Sequence, residues 1–123
     1  MPLRFVLDEN QRGPLWRALV RHNQAGMYPL DVVRVGDSSD LPLVSFDPDI
    51  LLWGEREERI LVSFDKATLA GHLANHLQAG HHSPGVLLLR RGSRLSEVVG
   101  HLVLVAYASD AWEWQDRIGF IPL

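Results

Sequence analysis

Apolar positions along this chain fall into two alternating kinds of run, short continuous ones and longer ones with helical spacing. Leu3, Phe5, Val6 and Leu7 make the first short run, which ends at Asp8-Glu9. Pro14 then occupies a good first-turn position, and Leu15, Trp16, Leu19 and Val20 recur at helical spacing to about Arg21 or His22, with Gly26 closing the unit. Residues 30–35, rich in valine and ended by Gly36-Asp37, read as a second strand, followed by a polar loop to Asp40. Asp47-Pro48 is a helix-start signature with Asp47 as N-cap; Ile50, Leu51, Trp53 and Gly54 lead from it to a charged end at residues 55–59. Residues 60–64 form the third strand. Leu69, Leu73 and Leu77, four apart, predict a helix over 67–78 that stops at Gly80. Pro84-Gly85 opens a fourth strand over 86–89, and a helix apolar nearly all round covers about 95–107. Residues 118–122 form a short edge strand.

Strands alternating with helices predict an α/β domain with a largely parallel sheet covered on both faces. Right-handed crossovers set the first strand centrally with the third beside it, if the second flanks the first on its other edge. The order 2-1-3 puts a topological switch point between the first and third strands, where open α/β sheets bind ligands.

At 123 residues the chain fits one domain, residues 1–123, with no linker and no internal repeat. No apolar run approaches the roughly 20 residues of a membrane span, and the first residues carry no leader pattern. The expectation is a cytoplasmic protein with no membrane partner. The absence of cysteine removes disulfides, thiolate zinc sites and cysteine nucleophiles together. A net charge of −3 argues against nucleic-acid binding by overall basicity, while leaving room for a local basic rim.

Candidate chemistry concentrates where strands end. Asp8 and Glu9 follow the first strand and Asp65 the third, so in the 2-1-3 order Asp8 and Asp65 face one another across the switch point. A cap role explains Asp65 taken alone. Taken together, two carboxylates there repel unless a cation holds them, which makes Mg2+ or Mn2+ the natural third party, with Asp47 closing the site. Arg90, Arg91 and Arg94, beyond the fourth strand, lie at the same edge and read either as a phosphate-binding rim or as a solvated loop. The rival constellation is histidine-based. His72 and His76 share a helical face, with His81 and His82 close behind, but the glutamate of an HExxH pair is missing, and solvated or capping histidines are favoured over zinc.

Four ordered blocks carry a resemblance that spans nearly the whole chain: Leu7-Asp8-Glu9-Asn10; Asp47 before Ile50-Leu51; Arg59-Ile60-Leu61-Val62-Ser63-Phe64-Asp65-Lys66; and His82-Ser83-Pro84-Gly85-Val86-Leu87-Leu88-Leu89-Arg90. Together they resemble the small PIN-like proteins of bacteria, relatives of VapC-type toxin ribonucleases. The resemblance implies a PIN-like three-layer α/β/α sandwich with a mainly parallel central sheet. It also implies Asp8, Asp47 and Asp65 as catalytic acids that hold Mg2+ or Mn2+ with Glu9, and cleavage of RNA, with an antitoxin protein as a partner. Such proteins usually read Asp-Lys-Asp-Phe at the last acidic block, where this chain reads Asp65-Lys66-Ala67-Thr68, one acid short. That departure makes a degenerate, partner-binding PIN-like module the alternative to an active nuclease. Finally, residues 102–106 leave the last long helix almost no polar outer stripe. They call for cover either by the C-terminal segment, with Trp112, Trp114 and Phe120, or by a second subunit, and a homodimer is the expectation.

Overall fold

The computed structural model describes residues 2–8, 13–43, 45–64 and 67–122. Five strands, β1 (Phe5–Leu7), β2 (Val32–Arg34), β3 (Ile60–Phe64), β4 (Val86–Leu89) and β5 (Ile118–Ile121), form one sheet in the order β2-β1-β3-β4-β5. Every neighbouring pair is parallel. Four helices, α1 (Pro14–Gln24), α2 (Asp47–Glu57), α3 (Ala67–Gln78) and α4 (Leu95–Ala108), alternate with the strands. The architecture is a three-layer α/β/α sandwich. β1 lies inside the sheet between β2 and β3, and β3 is the middle strand.

The two-residue period of the strands divides the core into two layers. Phe5, Leu7, Ile60, Val62, Leu87, Leu89 and Ile121 face α1 and α4, whereas Val6, Leu61, Val86 and Leu88 face α2 and α3. Strands that are buried on both faces read as unbroken apolar runs, which is why Phe5-Val6-Leu7 and Val86-Leu87-Leu88-Leu89 carry no alternation.

The last crossover departs from the others. β2 to β3 and β3 to β4 step the same way along the sheet, with their helices on one face. β1 to β2 steps back with its helix on the opposite face, so these three connections share a hand. β4 to β5 steps onward like β3 to β4, yet α4 crosses on the α1 face, which gives this connection the other hand, an uncommon choice. Its packing consequence is that each face of the sheet is covered by two helices.

Two local details differ from the sequence pattern. Asp47 is the first helical residue of α2 rather than its N-cap; Phe46 holds the cap position with no side-chain cap bond. An acid in the first turn still interacts favourably with the helix dipole. The second strand is shorter than its apolar run, because Leu30 is held by the Asn23 side chain through two hydrogen bonds, at 2.8 and 2.9 Å.

Candidate functional site

At the carboxyl edge of the sheet, Asp8 follows β1 directly and is 2% exposed. Its backbone N–H donates to the Val62 carbonyl of β3 at 3.2 Å, and the hydroxyl of fully buried Ser63, also on β3, donates to its carboxylate. Asp8 thus sits at the switch point between β1 and β3, oriented by a neighbour on the adjacent strand. Glu9 and Asp65 lie outside the described residues; in sequence they adjoin Asp8 and Phe64. α2 ends at the amino edge, separated from β3 by two residues, so Asp47, 10 residues up the helix and about 15 Å away, stands on the carboxyl side.

Of the three arginines beyond β4, Arg90 is tied to the C-terminal segment. Its Nε donates to the Pro122 carbonyl at 3.0 Å and its guanidinium lies 5.1 Å from the centre of the Phe120 ring. Arg91 is exposed in the following turn, and Arg94 is exposed at the N-cap of α4.

The amino edge carries a second constellation. Glu55 near the end of α2, His76 near the end of α3 and His81 on the approach to β4 bring three ligand atoms within 4.8 Å of one another, a group that can hold a metal ion. Glu55 Oε1 lies 2.9 Å from His81 Nδ1 and 3.4 Å from His76 Nε2. The two imidazoles stack, with centroids 4.9 Å apart. The neighbouring His82 fastens the group: its backbone N–H donates to Glu55 Oε2 at 2.9 Å, its carbonyl lies 2.9 Å from His76 Nε2, and its ring lies 2.9 Å from Asp116.

The electrostatics follow from these contacts. The His82 N–H, then the charges of His81 and His76, hold the Glu55 carboxyl below its ordinary value. The hydrogen bond to Asp116 raises His82. Burial alone would raise Asp116, but bonds from the Ser83 N–H, at 2.7 Å, and from His82 outweigh it and leave its pKa lowered. Glu55 and His82 also line a groove of about 660 Å³ together with Arg4, Glu58 and Gln115.

This cluster corrects the histidine reading of the sequence. His72 is not part of it; His76 pairs with His81 from the following loop, and His76 is buried rather than solvated. Glu55 carries no spacing signal toward the histidines, since it comes from a different helix. Comparison of the chain with protein-family models, curated proteins and solved structures gives no match. Among the described residues, no helix is long and apolar enough to cross a membrane.

Proposed function

We propose that the chain is a PIN-like, metal-dependent ribonuclease working at the carboxyl edge of its sheet, with Mg2+ or Mn2+ held by Asp8, Asp47 and Asp65, and Glu9 assisting. The observation that carries this reading is the buried carboxylate of Asp8 at the β1/β3 switch point, held in orientation by Ser63. Burying a carboxylate is expensive, and an edge where ligands bind is where such a group is put to use. Carboxylate donors suit a hard, oxygen-seeking divalent ion. When bound, such an ion supplies Lewis acidity and lowers the pKa of its water. In this reading Ser63 fixes Asp8, and exposed Arg91 and Arg94 attract the phosphates of single-stranded RNA, with Arg90 a more restrained third.

The test is cleavage of single-stranded RNA by tag-free protein with Mn2+ or Mg2+. Activity should vanish with EDTA and fall by at least about a hundredfold in Asp8→Asn, a nearly isosteric change that removes charge from the site. Equal activity in wild type and Asp8→Asn would trace the cleavage to a contaminant and sink the proposal.

Ala67, exposed at the start of α3, favours a second reading. It stands where the resemblance expects an acid, and a degenerate module that acts through a protein partner, antitoxin-like in role, would show neither cleavage nor Mn2+-dependent stabilisation. Under either reading we propose a two-fold dimer through the outer face of α4, supported by exposed Leu104.

A further inference from the structure

We propose that Glu55, His76 and His81 form a binding site for a borderline transition-metal ion of the Zn2+ class, at the edge of the sheet opposite Asp8. Three separate elements converge there: the last turns of α2 and α3, and the loop that enters β4. Metal bonds of about 2.0–2.1 Å in a tetrahedron put neighbouring ligand atoms about 3.3 Å apart. The separations of 2.9 and 3.4 Å from Glu55 Oε1 to the two histidines bracket that spacing, and all three ligand atoms lie within 4.8 Å of one another. Two imidazoles and one carboxylate match the His2Glu donor set of zinc sites that keep an open fourth position. Nitrogen donors also disfavour Mg2+ and Ca2+, which take oxygen.

The surroundings resemble those of a metal centre as well. Ligating carboxylates are oriented by outer hydrogen bonds, and the His82 N–H performs that role on Glu55 Oε2, leaving Oε1 toward both histidines. The His82–Asp116 contact and the bond from the Ser83 N–H to Asp116 fix the loop that carries His81. On binding, His76 Nε2 exchanges its contact with the His82 carbonyl for the ion, and the ring stays neutral by carrying its proton on Nδ1 instead of Nε2. Access is available from two sides: the His81 side chain is 44% exposed, and Glu55 lines the groove.

The test is calorimetric titration of tag-free, full-length protein with ZnCl2, together with Co2+ as a spectroscopic probe. The expected result is one Zn2+ per chain and a Co2+ spectrum of four-coordinate intensity. Affinity should fall by at least about tenfold in His81→Ala and in Glu55→Gln. His81 is partly exposed, so its variant tests binding without disturbing the core. Glu55→Gln retains an acceptor for the His82 N–H and serves as the second arm. Asp8→Asn should bind Zn2+ as wild type does, whatever becomes of its response to Mn2+, which separates this site from the proposed nuclease centre. The proposal is overturned by any of three results: no Zn2+ binding by wild type, equal binding by wild type, His81→Ala and Glu55→Gln, or loss of Zn2+ binding in Asp8→Asn.

Discussion

Asp40 shows how much one exposed side chain can organise. It accepts from the Ser38 hydroxyl, from the Trp53 indole N–H at 3.1 Å and from the Arg56 guanidinium at 2.6 Å, and so ties the loop after β2 to the outer side of α2. Chiefly the Ser38 bond, then the bond from Trp53 and the charge of Arg56, hold its carboxyl below the ordinary value of 3.8. A depressed folded-state pKa contributes stability that is present above the unfolded value and lost as pH falls through the folded one. The contact should therefore hold at neutral pH and loosen only below about pH 4. The Trp53 indole N–H resonance reports it: acid should shift this signal in the wild type, and in Asp40→Asn that titration should be missing. An unchanged acid transition in Asp40→Asn would mean that another carboxyl governs the loop.

At the scale of elements, the connection between α4 and β5 is locked onto the start of β4. Gly85 has φ +131°, and a Cβ there would lie 2.8 Å from the Trp114 carbonyl oxygen and 2.9 Å from the Trp114 Cβ. Neither atom is a flexible side-chain end. The Trp114 indole donates to the Ser109 hydroxyl at 2.7 Å, while Ser83 and Asp116 exchange bonds in both directions, so the turn cannot retreat. Gly85→Ala combines backbone strain with overpacking and should lower stability by about 2–5 kcal/mol, read as a fall in the urea midpoint at unchanged slope. A loss under about 1 kcal/mol would show that the turn yields.

The same scale explains what could be read in advance. Element order followed from the alternation of short apolar runs with helical spacing, and the pairing of β1 with both β2 and β3 followed from crossover handedness. The hand of the last crossover was not legible: α4 is apolar nearly all round, and such a helix gives no indication of which face of the sheet it will cover. Asp8 was legible because it ends a strand. The grouping of Glu55 with His76 and His81 was not, because its members come from three elements that only the closed sheet brings together.

The assembly of the whole molecule turns on what covers α4. Within residues 102–106 the structure buries Leu102, Val105 and Ala106 and packs Val103 partly against the same core, leaving Leu104 58% exposed. The cover that this apolar run requires is thus largely internal, and Trp114 contributes to it by packing against that core. Trp112 takes no such part and is 67% exposed. The proposed dimer accordingly rests on a narrower surface than the sequence suggested, with Leu104 as its central anchor. A stable interface needs roughly 800 Å² from each partner, and within it a few large side chains carry most of the energy. Sedimentation at tens of micromolar should give twice the chain mass for wild type, and Leu104→Glu should return the monomer mass. Because Leu104 is exposed in the single chain, that substitution should leave the melting temperature of the monomer within about 2 °C of a Leu104→Ala control. A wild-type monomer mass at these concentrations would remove the dimer and leave α4 covered by its own chain alone.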